Sequence, residues 1–219
     1  PNPVNLKPAG SRLPWESNPV GPMALPGEYS VTLSQRVNGA FEDIAGPEAF
    51  TLKPMHAGGL VTDDREGLLA FQQKTAELFR AVMGTARAAG EIDSRIDHMM
   101  KAVSDTPTST EAQATALRSL KARLQDLRVD LSGDSTVTSR NEPAPMGLYS
   151  RVATIAYGSW NTQAGVTGNF SDSYDIAAGQ FPAVLAELQS IAADLAAIEA
   201  ELEAEGAPWT PSRIPEWKG

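Results

Sequence analysis

The stretch Leu117-Arg-Ser-Leu120-Lys-Ala-Arg-Leu124-Gln-Asp-Leu127-Arg-Val-Asp-Leu131 decides the class of this fold. Its leucines recur at alternating three- and four-residue steps, which places all of them on one stripe of an α-helix. A stripe of that kind has to be covered, so partner helices are required. Phe181, Leu185, Leu188, Ile191, Leu195, Ile198 and Leu202 repeat the ladder near the C-terminus. Leu68, Phe71, Leu78, Val82, Ala86, Ala89, Ile92, Ile96, Met99 and Val103 form a third ladder, longer than the others.

The flanks of these ladders supply start and stop signals. Asp63 with Glu66 is a candidate N-cap and capping box for a helix that runs to about Val103. Thr108-Ser-Thr-Glu111 offers a second box, and Gly133 a stop, for the leucine-rich helix. The short link through Pro107 makes these two helices antiparallel neighbours. A polar connector over 133–145 leads to a third segment, about 146–164, which buries Leu148, Val152, Ile155 and Trp160. The fourth, about 172–205, contains Pro182, which removes an internal hydrogen bond and predicts a kink one turn upstream. Four amphipathic segments on short connectors predict an antiparallel four-helix bundle over 58–206. Burying a leucine contributes about 1.5–3 kcal/mol before entropy is subtracted, so the ladders hold such a bundle without cofactor or disulfide.

The period changes before the helices begin. Over 1–27 the chain is rich in Pro, Gly and Asn, with Leu13, Trp15, Val20, Met23 and Leu25 as isolated apolar anchors. This opening has no initiator Met, signal peptide or helix signal, as expected for a piece of a longer protein; a removed signal peptide would look the same. Tyr29, Val31 and Leu33 then alternate with polar residues, and Asn38-Gly39 supplies the positive φ angles of a tight hairpin turn. The return strand is expected near 40–44, and a third strand over 48–53 sets Phe50 and Leu52 on one face, ended by Pro54. Three strands with one apolar face are about the minimum for a stable sheet, which points to part of a sandwich whose other strands precede Pro1.

Composition narrows the function classes. In 219 residues there is room for one good core or two small ones, and 42% hydrophobic content is that of a folded chain. A formal charge of −9, with 18 basic residues scattered among acids, argues against nucleic acid or an anionic membrane as partner. No run of about 18 apolar residues predicts a bilayer span. The absence of cysteine removes disulfides, thiolate nucleophiles and Cys-based zinc sites, and leaves the compartment open.

Each chemical candidate has a plainer reading. His56 and His98 are the only histidines. Glu91, Asp93, Asp97 and His98 share a helical neighbourhood and are read as a solvated face rather than a zinc site. Glu199, Glu201, Glu203 and Glu205 are read the same way, as an acidic helix end. Ser159 in Gly158-Ser159-Trp160 lacks the strand-turn-helix setting of a nucleophile elbow. Asn169-Phe170-Ser171 fits a glycosylation sequon, with Ser171 better used as a helix cap. No catalytic, cofactor-binding or metal-ligating residue is assigned. The tail over 207–219, with Trp209, Ile214 and Trp217 among three prolines, is expected to strap across the bundle or sheet, or else to anchor another domain.

Three stretches carry a family resemblance: Gly21-Pro-Met-Ala-Leu-Pro-Gly-Glu-Tyr-Ser-Val31, Phe50-Thr-Leu52 and Gly206-Ala-Pro-Trp-Thr-Pro-Ser-Arg-Ile-Pro-Glu-Trp217. Together they resemble the C-terminal region of bacterial sortilin-type β-propeller proteins, often called glycosyl hydrolase or BNR (Asp-box) repeat proteins. The resemblance implies a secreted or periplasmic protein in which a propeller is followed by an immunoglobulin-like β domain and a helical region. It implies an α+β, mainly α fold: a partial immunoglobulin-like sheet over 1–57, the bundle over 58–206 and the strap over 207–219. Propeller blades and Asp-boxes are absent, so no hydrolase residue is carried over. The expectation is a noncatalytic docking module whose partner is the propeller-containing fragment or a second copy. Leu25, Tyr29, Val31, Leu33, Phe50 and Leu52 would complete the sheet core, and Trp209, Ile214 and Trp217 would brace the same interface. The rival expectations are a subunit of an extracellular hydrolase with its reaction centre on the partner, and a free-standing helical binding protein.

Overall fold

A computed structural model of the chain describes residues 21–54, 61–160, 162–211, 213–215 and 217. Leu13, Trp15, Val20 and His56 lie outside these. The fold is mainly helical, with a two-stranded antiparallel sheet and, among the described residues, five helices. In chain order they are β1 (Gly27–Val37), β2 (Ala40–Leu52), α1 (Arg65–Asp105), α2 (Glu111–Ser132), α3 (Ser135–Thr138), α4 (Leu148–Trp160) and α5 (Gly168–Ala204).

The helix starts follow from local hydrogen bonding, displaced by one to a few residues from the expected caps. Asp64, not Asp63, caps α1 by accepting from the Gly67 amide at 2.8 Å. Thr110 and Gln113 form the reciprocal capping box of α2, in place of Thr108 with Glu111. Thr167 caps α5, so the helix starts earlier than expected and Ser171 lies inside its first turn. α5 runs on through Pro182 as one element.

Packing follows a seven-residue repeat. On α1 the buried positions Leu68, Thr75, Val82, Ala89, Ile96 and Val103 fall at successive steps of seven. On α5 Ala177, Val184, Ile191 and Ile198 do so, interleaved with Phe181, Leu188, Leu195 and Leu202. On α2 Leu117, Leu124 and Leu131 interleave with Leu120 and Leu127. A straight α-helix drifts against a strict heptad, so seams of this length favour a left-handed coil of helices. All of these side chains except Leu68 and Thr75 merge into a single apolar core with Leu148, Val152, Ala156 and Trp160 of α4.

The helices lie in three rows, which corrects the expectation of four helices side by side. Lys121 Nζ of α2 sits 2.7 Å from both Asp93 and Asp97 of α1, which places α2 against the C-terminal half of α1. Against the N-terminal half lies α4: Gln72 Nε2 donates to the Ser159 carbonyl at 2.6 Å, and Phe79 meets the rings of Tyr149 and Tyr157. α2 and α4 therefore follow one another along α1, both antiparallel to it. Their junction is tight, since a Cβ on Gly147 would come within 2.5 Å of the Gly133 nitrogen. Lengths allow this: α1 is about 62 Å long at 1.5 Å per residue, which accommodates about 33 Å and about 20 Å for α2 and α4 end to end. The polar stretch 133–147, with α3 in it, is an excursion from an otherwise continuous row. α5 completes the rod parallel to α1, with Tyr174 beside Phe71 and Glu199 beside Arg95.

The expected third strand is the second half of β2. Instead of ending near residue 44, the pairing continues from Val37↔Ala40 to Gly27↔Leu52, with irregularities between Val31 and Leu33 and between Leu33 and Ser34. Bulges of this kind absorb extra residues without ending a ladder. Gly46 adopts φ +93° with its α-carbon against the Val31 carbonyl, where a Cβ would sit 2.5 Å from that oxygen.

Candidate docking surfaces

Alternation along the hairpin separates its two faces. Tyr29, Val31 and Leu33 point to one side with Phe50 and Leu52, and the Tyr29 and Phe50 rings stack at 5.8 Å between centroids. The other side is polar near the base and middle: Thr51 donates to Glu28 at 2.6 Å, and Ser34 donates to Asp43. Such amphipathicity belongs to a sheet with one buried face. Here the apolar face lies in solvent, with Val31 56%, Leu33 59% and Phe50 47% exposed. Tyr29 is also exposed, while Leu25 and Leu52 at the hairpin base are half-buried, and the Tyr29 hydroxyl donates to the Leu25 carbonyl at 2.7 Å. The six hairpin residues expected to form an interface are thus brought together by the structure.

The tail is not part of that surface. α5 ends beside the α1–α2 turn, where Gln113 Nε2 donates to Glu205 and Ala207 is buried. The base of the hairpin lies at the opposite end of the rod, where Leu25 and Leu52 line a cavity of about 430 Å³ together with Arg65, Leu68 and Gln163. Arg213 turns the tail back on itself: its amide donates to the Thr210 carbonyl, and its guanidinium grips both carboxylate oxygens of Glu203, one of them at 2.6 Å. That grip holds the Glu203 carboxyl below its ordinary pKa. Beyond the turn, Ile214 and Trp217 are 86% and 91% exposed and Trp209 is 44% exposed, so none of these three side chains is buried against the bundle or the sheet. The tail leaves α5 as an anchored turn whose apolar side chains project outward.

The acidic positions serve structure. Glu199 is buried rather than solvated, held by Arg95 through two hydrogen bonds of 2.6 and 3.2 Å. Asp93 and Asp97 face Lys121, and Asp93 also meets Arg128 at 2.9 Å. Burial lowers the Lys121 pKa, but the two carboxylates outweigh it and the net shift is upward. Arg123 spans α2 to α5 through Glu187 and Asp194, both at 2.8 Å. Ser159 is buried, its hydroxyl donating to the Ala156 carbonyl. His98 is exposed. Among the described residues no group of three or more His, Cys, Asp or Glu is placed to hold a metal ion. By length and composition alone α5 is apolar enough to cross a membrane. Much of that hydropathy comes from alanine, and its buried seam together with the Arg95 and Arg123 pairs ties the helix into the rod.

Comparison with protein families, with curated proteins and with solved structures returned no match.

Proposed function

We propose that this chain is a noncatalytic accessory and assembly module of a secreted or periplasmic β-propeller protein of the sortilin type. Its hairpin docks face-on against strands supplied by the propeller-bearing fragment, and the two together complete an immunoglobulin-like sandwich. The observation that supports the reading is the solvent-facing apolar side of a hairpin standing outside the helical core. A two-stranded ribbon is marginal by itself. Covering the exposed half of Val31, Leu33 or Phe50 contributes about 1 kcal/mol each, which favours a docked state.

The tail is a second contact at the far end of the rod. Ile214 and Trp217 suit an apolar pocket on the same partner or on another, about 60 Å from the hairpin base by the length of α1. The hairpin and tail residues therefore serve two interfaces rather than bracing one.

Native mass spectrometry of the protein purified with its companions tests the reading. A propeller-bearing companion is expected, and Leu33→Lys should release it while leaving the helical circular dichroism signal unchanged. A companion retained by Leu33→Lys would argue against docking through this face. A lone, stably folded chain would favour a free-standing helical binding protein, and a companion with hydrolase activity would make the chain a subunit of that enzyme.

A further inference from the structure

We propose that the outer edge of β1 pairs with β1 of a second copy of this chain, antiparallel about a two-fold axis through Thr32. The inference rests on reading the hairpin as a docking element, but uses its edge instead of its apolar face.

The two edges of the hairpin are unlike. β2 carries Glu42, Asp43 and Glu48, and Pro47, which has no amide to donate. Both irregularities of the ladder place their extra residue on β2: Ser34 and Leu33 face Asp43 and Ala45, and Leu33 and Val31 face Ala45 and Glu48. Charge, proline and bulges are the devices that keep an edge from pairing. β1 lacks the proline and the extra residues, and its charges are fewer and of opposite sign. It is regular over eleven residues, has no proline, and carries one acid, Glu28, and one base, Arg36, near its two ends.

The turn determines which backbone groups this edge presents. Asn38 and Gly39, at φ 52° and 88°, form a two-residue turn closed by the Val37↔Ala40 pair. Such a turn directs the backbone groups of Val37 toward β2, and alternate residues of the strand follow it. Glu28, Ser30, Thr32, Ser34 and Arg36 consequently turn their N–H and C=O groups outward.

Taken from both ends, that set is self-complementary. With Thr32 opposite the second copy's Thr32, Ser30 meets Ser34, and Glu28 meets Arg36 twice by symmetry. Opposite charges and hydroxyl pairs are favourable cross-strand neighbours. Sliding the register by two residues in either direction loses both ion pairs, so the charges select one alignment. Existing contacts leave room for it. Thr51 uses one carboxylate oxygen of Glu28, and the Arg36 guanidinium lies over the ring of its cross-strand neighbour Phe41 at 5.5 Å, a contact it exchanges for the second copy's Glu28. On the opposite face Val31 comes beside the second copy's Leu33, which merges the two apolar faces into one four-stranded surface.

Sedimentation equilibrium of the full chain across a concentration series tests this, with folding of each variant checked by circular dichroism. The wild type is expected to dimerise with concentration. Glu28→Arg and Arg36→Glu each turn two attractive pairs into two repulsive ones, which should weaken the dimer about tenfold. The double variant E28R/R36E restores opposite charges at both positions and should recover the wild-type dissociation constant. A chain that stays monomeric throughout, or a double variant no better than the singles, overturns the proposal. Because Glu28 and Arg36 lie on the polar face, binding of a propeller-bearing companion should survive all three variants, so failure of the dimer is separable from failure of the proposed function.

Discussion

Replacing Gly147 by Ala tests the stacking of α2 on α4. Gly147 is buried immediately before α4 and does not need a positive φ, so an isolated view of the chain makes Gly147→Ala favourable by about 0.4–1 kcal/mol through reduced unfolded-state entropy. The packed structure reverses the sign. The new Cβ would lie 2.5 Å from the Gly133 nitrogen, 2.7 Å from the Ser132 carbonyl carbon and 3.1 Å from the Leu131 oxygen. All three are backbone atoms that cannot rotate away, so the two helix ends must separate. Overpacking of this kind costs about 1–3 kcal/mol, and with contacts as short as 2.5 Å to rigid backbone the upper part of that range applies, leaving a net loss of about 1–2.5 kcal/mol. Gly84→Ala is the matched control: it lies in α1 with no heavy atom within 4 Å of the added methyl and should stabilise by about 1 kcal/mol. Urea unfolding followed by circular dichroism reads both, as opposite shifts of midpoint at constant slope. Stabilisation by Gly147→Ala would refute the end-to-end junction and with it the three-row arrangement.

Arg95→Ala should cost more than Glu199→Gln in the same assay, by roughly 3 kcal/mol of destabilisation against roughly 1. The first leaves a carboxylate that is 2% exposed without its partner, whereas Arg95, with its side chain 35% exposed, can still reach water. Equal losses would contradict that asymmetry. The Glu203–Arg213 grip predicts acid release of the tail: because the folded pKa lies below the ordinary 4.5, its contribution is complete above about pH 4.5 and fades as the pH falls through the depressed value. Tryptophan fluorescence quenching should follow that transition in the wild type and be independent of pH over the same range in Arg213→Ala.

Leucines at three- and four-residue steps on α2 and the matching positions on α5 sufficed to specify which faces are buried, because helix geometry fixes side-chain direction within one element. Alternation at Tyr29, Val31 and Leu33 and the Asn38-Gly39 turn defined the hairpin in the same local way. Other features depended on contacts between residues far apart in sequence. α2 and α4 share one row because end to end they fit within the length of α1 and Gly133 and Gly147 lack the side chains that would keep the ends apart. Glu199 reads as one more glutamate of an acidic run until Arg95, from another helix, is brought beside it. The stretches near 40–44 and 48–53 read as two strands, yet the partner strand carries one ladder across both. Trp209, Ile214 and Trp217 announce sticky side chains, but only the course of α5 down the rod separates them from the hairpin. Periodicity is a property of one element and is written in the chain, whereas row number, ion-pair partners and the distance between two surfaces are properties of how elements meet.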